Sequence, residues 1–305
     1  MTKISAIVTA YNIQDFISDA ILSLIGQEFE DYEIIVVDDG SLDYTYETVE
    51  KYAKAFDFIK LYKTKHKGAG YARNYGFLKS SGDYVLFLDG DDIFHTSMLY
   101  EMYREIVNKK ADICLCNSNE FSGNKNNIIK RNNNSNDYPI GWAWDKLIKR
   151  SLIVENDLKF CDLSSSNDLS FTYAAWFLAK KKAKVEIPLV SRRMWAGSVS
   201  YNKKAQNAFL ALIDLKEKLA KLNRFDEFRE DFYNISQMII YWHFKTASQN
   251  MKKDIFSWVK EYESSLGILN LKKPKCKRCH NFYKDAYFSK SYSALYVKYI
   301  VGKIL

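Results

Sequence analysis

Over the first 115 residues, short unbroken apolar runs alternate with segments in which apolar positions recur every three or four residues. The runs are KISAIVT (3–9), the EIIVV of YEIIVVDDGS (32–41), FIKLYKT (58–64) and the VLFL of YVLFLDGDD (84–92). Runs this short, rich in Val and Ile and with little polar alternation, read as strands buried on both faces. Segments 14–26, 43–56, 69–80 and 95–108 read as helices; in the first, Phe16, Ile17, Ala20, Ile21, Leu24 and Ile25 form one stripe. Buried strands interleaved with helices predict an α/β fold, a mostly parallel sheet flanked by helices. The pattern then changes. Residues 117–137 hold nine Asn and read as a polar, mobile loop. Order returns at GWAWDKLIKRSLI (141–153). Beyond Tyr201 only helical spacing remains, over 205–222, 226–248 and 252–265. A boundary near 200 therefore separates a first domain, 1–200, from a mainly helical region, 201–305.

Open parallel sheets bind ligands beyond the carboxyl ends of their strands. In this chain those ends are polar: Thr9-Ala10-Tyr11-Asn12, Asp38-Asp39-Gly40-Ser41 and Asp89-Gly90-Asp91-Asp92. The topology brings all three clusters to one rim. Three carboxylates within four positions repel one another, and burial strengthens the repulsion. A divalent cation, a nearby Arg or Lys, or bulk water must offset them. Asp89 and Asp91 offer the hard oxygens that suit Mg²⁺ or Mn²⁺, and Asp92 is placed to cap the next helix. Tyr11 can stack on a planar base or pack on Ile13. Asp38 and Asp39 can accept from a ribose or a base, or cap the following helix. In HKGAGYARNYG (66–76), glycines precede a helix whose N-terminus favours phosphate, and Arg73 can balance the acid cluster or touch pyrophosphate.

Composition adds bounds. Hydrophobic residues make up 47% and charged residues 27%, an ordinary globular balance, with aromatics at 15% that suit stacking or sugar contact. The N-terminal apolar run is too short for a secretory signal, and no stretch approaches the roughly 20 apolar residues needed to span a bilayer. A cytoplasmic protein with reduced thiols is expected. Its five Cys are irregularly spaced, and the Cys276-Lys-Arg-Cys279-His280 half-motif reads as structural or incidental. The net charge is +8, with a basic run KKPKCKR (272–278) and a basic, aromatic and apolar end YSALYVKYIVGKIL (292–305). That end reads either as a dock on an anionic surface, the cytoplasmic face of the inner membrane or a partner, or as a helical cap with a solvated basic face. No nucleic-acid motif accompanies the charge.

In order and spacing, IVTAYN, EIIVVDDGSLDYT, KGAGYARNYG and GDYVLFLDGDD resemble the successive signatures of family 2 glycosyltransferases of the GT-A fold. The resemblance implies a Rossmann-like domain and transfer of a hexose or N-acetylhexosamine from a nucleotide sugar, commonly UDP-linked. The acceptor would be a glycan or lipid-linked glycan hydroxyl in surface polysaccharide or lipooligosaccharide synthesis, with inversion to a β-glycoside. Thr9, Ala10, Tyr11, Asn12, Asp39, Arg73, Asp89 and Gly90 would hold the donor, and Asp89 and Asp91 would form the D-x-D, with Asp91 the more direct ligand of Mn²⁺ or Mg²⁺. AWDKLIKRSLI resembles the family's acceptor-side segment, which puts Trp144, Asp145 and Lys146 there, joined by Trp195 of LVSRRMWAGSVS. LKFCDLSSSNDLSF resembles the segment that carries the general base, here Asp168. Asn167 stands where the family has Glu, and Ser191 where it has an aromatic. The alternative is a non-catalytic, membrane-associated scaffold of a glycan-assembly complex.

Overall fold

The computed structural model describes residues 2–122, 128–131, 138–197, 205–272, 274–289, 291, 292 and 295. The chain forms two compact units, Met1–Asn202 and Lys203–Leu305.

The first unit opens with β1 (Ile4–Ala10), α1 (Ile17–Ile25), β2 (Tyr32–Asp38), α2 (Thr45–Ala55), β3 (Ile59–Lys63), α3 (Ala69–Lys79) and β4 (Tyr84–Asp89). A two-residue strand β5 (Ile93–Phe94) precedes α4 (Met98–Asn108). Then come β6 (Ile113–Ser122), β7 (Ile128–Arg131), β8 (Lys146–Lys149), α5 (Arg150–Glu155), α6 (Leu169–Leu178) and β9 (Lys182–Met194). The sheet runs β3-β2-β1-β4-β8-β6-β9-β5, with β7 paired to β6. Its β3-β2-β1-β4 half is parallel, and β8 joins it antiparallel. Register carries the polar rim: Ala10 pairs with Asp38 and Thr9 with Asp89, so the ends of the three central strands lie side by side. Ile4, Ala6, Val8, Ile34, Val36, Leu86 and Leu88 are fully buried and pack with the Ile17, Ala20, Ile21 and Leu24 stripe of α1. That burial makes the sheet a rigid platform for its loops.

The Asn-rich stretch departs from expectation. Its first part is the long strand β6, which pairs with β8, β9 and β7. Asn117, Ser118 and Glu120 lie buried in it, Glu120 paired with Arg192 at 3.2 Å. Their polarity hid a strand whose backbone is paired on both sides. The rest of the expected loop, 123–127 and 132–137, lies outside the described residues, as does most of the 292–305 segment.

The second unit is helical: α7 (Ala205–Lys221), α8 (Phe225–Thr246), α9 (Gln249–Leu266) and α10 (Lys277–Phe288). Cys276 and Cys279 are joined as a disulfide, which corrects the expectation of reduced thiols at those two positions. Cys276 sits at the N-cap of α10, where its Sγ accepts from the Cys279 N–H at 3.2 Å. Cys114, Cys116 and Cys161 take part in no disulfide.

Candidate active site

Two loops build the first wall of the rim. Asn12 adopts φ 49°, and its side-chain oxygen accepts from the Leu42 N–H at 2.8 Å while its own N–H donates to Ser41 Oγ at 3.0 Å. The β1–α1 loop is thus stapled to the β2–α2 loop. Asp38 Oδ1 accepts from the Gly40 and Ser41 N–H groups, the local turn that a short acid favours, while its Oδ2 is buried with no partner. Asp39, 3% exposed, accepts from Thr64 Oγ1 at 2.6 Å and from the Lys67 and Gly68 N–H groups at 2.9 and 2.7 Å. It therefore orders the β3–α3 loop, where Gly68 takes φ 92°. Tyr11, 39% exposed, stacks on His66 with ring centroids 3.9 Å apart, and His66 Nδ1 lies 3.3 Å from Asp39 Oδ2. Nothing in the sequence pattern singled out His66.

The acidic turn forms the floor. The Gly90 N–H donates to Thr9 O at 3.0 Å, and a Cβ at Gly90 would meet Ile13 and Ile17 within 3 Å, so only glycine lets the turn close over α1. Asp91 Oδ2 accepts from the Trp195 indole at 2.7 Å. Asp92, 2% exposed, accepts from the Arg193 N–H at 2.8 Å and does not cap a helix. Arg193 also donates through Nε to Asp91 O and through Nη2 to Asp19, clamping the turn to α1. Burial, and then the neighbouring Asp89, push the Asp91 carboxyl above its ordinary range. Asp92 is pushed well above it by burial and by Asp91 and Asp89. The positive groups present do not fully offset the negative charge here.

Arg73 forms the third element. It is 5% exposed; Nη2 donates to Asp89 Oδ1 and Nη1 to Asn167 Oδ1, both at 2.6 Å, and Nε is buried with no partner. One guanidinium therefore ties the end of β4 to the residue before Asp168. The backbone is tied too: a Cβ on Gly70 would strike the Cys161 carbonyl oxygen, so α3 approaches the 161–167 segment as only glycine allows. Asp168 sits half-buried at the N-cap of α6, yet its side chain makes no capping bond. Its charge helps to raise Asp145 and Tyr173, for both of which burial is the leading cause.

The structure brings Thr9, Tyr11, Asp39, Arg73, Asp89, Gly90, Asp91 and the Asp168 loop to one side of the sheet. It treats the remaining expected acceptor-side residues differently. Trp144, Asp145 and Lys146 are 3%, 0% and 0% exposed. Lys146 donates to Ile140 O at 2.9 Å, Trp142 O at 2.6 Å and Asp145 Oδ1, and Trp144 stacks on Trp142. In this structure they hold the 140–146 segment from within, the donors of the buried lysine being matched there. Trp195 turns toward Asp91 and packs on Phe16 at 4.9 Å.

Among the described residues, no three acid, His or Cys side chains converge to cage a metal by themselves. The donor set still fits a divalent cation that takes one or two carboxylates and completes its shell with diphosphate oxygens and water. Asp91 and Asp89 would hold it, and it would supply neutralising charge for a departing diphosphate.

The family profile "Glycosyl transferase family 2" matches residues 5–170. Glycosyltransferase EpsH of Bacillus subtilis is 28% identical over 249 residues, which cover 75% of this chain and 72% of EpsH. The cholesterol galactosyltransferase of Borreliella burgdorferi is 29% identical over 182 residues, 52% of this chain and 51% of that protein. The poly(ribitol-phosphate) beta-N-acetylglucosaminyltransferase TarS of Staphylococcus aureus is 29% identical over 194 residues, 59% of this chain and 34% of TarS. The chain thus spans about half or less of the length of these last two relatives. The crystal structure of TarS residues 1–349 in complex with UDP-GlcNAc superposes with a TM-score of 0.73 at 19% identity, covering 93% of this chain and 87% of that one. A mannosyltransferase from Pyrobaculum calidifontis in complex with GDP-Man and Mn²⁺ gives 0.54 at 13% identity, covering 87% and 83%. The fold is GT-A, and with the profile covering more than half of its length, the chain belongs to glycosyl transferase family 2.

Proposed function

We propose that this protein moves a hexose or N-acetylhexosamine from a UDP-sugar to a hydroxyl of a glycan or lipid-linked glycan, with inversion to a β-glycoside, in bacterial surface-polysaccharide synthesis. The observation that carries the proposal is the under-compensated Asp91–Asp92 turn, joined through Asp89 and Arg73 to the loop that bears Asp168. Donor and base elements are one hydrogen-bonded unit. TarS, a relative with the same fold, binds UDP-GlcNAc and acts on poly(ribitol-phosphate), which supports a UDP-linked donor and a surface polymer as acceptor.

Tyr11 offers its exposed ring to the base. Asp39 fixes the loop beneath the nucleoside. Arg73 faces the leaving diphosphate, and Asp91 and Asp89 would hold Mn²⁺ or Mg²⁺, which would supply neutralising charge to that diphosphate. An acceptor hydroxyl is a poor nucleophile at neutral pH, so Asp168 takes its proton as the oxygen attacks the anomeric carbon opposite the leaving group. A lipid-linked acceptor would keep the enzyme at the cytoplasmic face of the inner membrane.

The test is a melting curve with UDP, with and without Mn²⁺, paired with assay of nucleotide-sugar turnover. UDP and Mn²⁺ together should raise the Tm, and UDP should be released from a UDP-sugar. A folded chain that releases no UDP from any of the common UDP-sugars would be the non-catalytic scaffold instead.

A further inference from the structure

The excess positive charge of the chain lies entirely in its second unit. Residues 203–305 carry 20 Lys and Arg against 10 Asp and Glu, net +10, whereas residues 1–202 carry 25 against 27, net −2. The helical packing then sorts this charge. α8 and α10 run side by side in the same direction, as three contacts in the same order along both helices show. Asn234 Oδ1 accepts from the Lys275 N–H at 2.7 Å, Gln237 Nε2 lies 3.1 Å from His280 Nδ1, and Phe244 packs on Phe282 at 4.5 Å. Their C-terminal ends therefore share one end of the unit. α9 begins there as well, after the Ala247–Ser248 turn, and is fastened by Lys260 Nζ donating to Ser289 O at 2.6 Å and by Tyr292 OH donating to Gln249 at 3.1 Å.

Two large aromatics are exposed in the last turns of these two helices: Trp242 of α8, 49% exposed, and Phe288 of α10, 67% exposed. Lys245 follows Trp242 by three residues and Lys284 precedes Phe288 by four, each one helical turn away, and Lys253 is exposed in the early part of α9. In sequence, Lys253 and Lys284 are each followed by an acid, Asp254 and Asp285, so the three lysines outnumber these two. Amphipathic aromatic rings settle at the headgroup level of a bilayer, and each Lys near an anionic leaflet adds to the attraction.

We propose that this end of the second unit docks the protein on an anionic lipid bilayer, with Trp242 and Phe288 seated among the headgroups and Lys245, Lys253 and Lys284 on the lipid phosphates. The inference deepens the membrane placement in the proposed function, and its test does not depend on catalysis. A soluble polyanion would use the lysines alone and gives no account of two exposed aromatics beside them. No helix among the described residues is long and apolar enough to cross a membrane, so the mode is surface docking by this end.

The experiment is flotation of the full chain with vesicles of phosphatidylcholine alone and with one third phosphatidylglycerol, in low and in molar salt. Binding is expected only to the anionic vesicles, and high salt should suppress it. Replacing all three lysines (K245A, K253A, K284A) should weaken binding roughly 100-fold. Replacing the rings (W242S, F288S) should weaken it and abolish the blue shift of tryptophan emission on docking. All five residues are exposed, and circular dichroism checks that the variants keep their helices. Absence of binding by a folded chain, binding unchanged in both variants, or inorganic polyphosphate binding that is indifferent to the aromatic pair would each overturn the proposal. UDP-induced stabilisation should persist in both variants, so a failure of docking and a failure of the donor reading remain separate results.

Discussion

The two units bury carboxylates in opposite ways. In the helical unit, Glu263 is 7% exposed and accepts from the Ile268 N–H at 3.2 Å, the Leu269 N–H at 2.8 Å and the Tyr283 hydroxyl at 2.7 Å. Both of its oxygens are matched, and it fixes the turn that ends α9. In the first unit, Asp91 and Asp92 rely on the Trp195 indole and the Arg193 N–H; burial, and after it the charge of Asp89 on Asp91 and of Asp91 and Asp89 on Asp92, raises their pKa values. A matched buried acid stabilises a fold, whereas a crowded, under-matched one stores electrostatic repulsion that a cation can relieve. Under the proposed function a buried carboxylate is structural in one place and cation-binding in the other, and the count of partners distinguishes them.

The largest effect is expected at the chemistry. Asp168→Asn should lower turnover by roughly 10³-fold with UDP affinity nearly intact, because only a proton acceptor is lost. A rate like that of the native enzyme would remove Asp168 as the base.

Stability should respond with opposite sign in the two units. Glu263→Ala leaves two backbone N–H groups and a buried hydroxyl without their acceptor and should cost about 2–3 kcal/mol in urea unfolding. Asp92→Asn removes repulsion while keeping an oxygen for the Arg193 N–H, and should leave the ligand-free protein as stable or more so. If both variants lose stability alike, the distinction between matched and under-matched acids fails.

A third carboxylate gives a pH test away from the site. Glu33 lies at the opposite end of the sheet. Burial would raise its pKa, but hydrogen bonds from Lys60, Ser81 and Ser5 outweigh that and bring it down to about 2. A depressed carboxyl stabilises the fold above its unfolded pKa and loses that contribution as pH falls from about 4.5 toward about 2. After screening at the half-exposed Lys60, the contribution is about 1–2 kcal/mol. Glu33→Gln should flatten this part of the acid-unfolding curve, and a curve of unchanged slope would contradict it. The smallest effect expected is at Trp195: Trp195→Phe removes one hydrogen bond from Asp91 and should shift the melting temperature by a few degrees at most.

The α/β alternation and the three polar strand ends were legible because continuous apolar runs and Asp or Gly turns are local signals. What escaped depended on distant partners. The strand character of 117–122 was masked by Asn and Glu side chains, among which Glu120 pairs with the distant Arg192. Asp145 and Lys146 look like surface charge until the Ile140 and Trp142 carbonyls enclose the ammonium. The links of Arg73 to Asn167 and of Trp195 to Asp91 join residues 94 and 104 positions apart, which no local pattern encodes.

The most direct test of the central claim is calorimetric titration of UDP into the protein with Mn²⁺ and, separately, with a chelator, repeated on Asp91→Asn. If the acidic turn exists to hold a cation against the diphosphate, UDP should bind at least about ten-fold tighter with Mn²⁺, and the substitution should erase that difference. Equal affinity with and without the metal, unchanged in Asp91→Asn, would contradict the account.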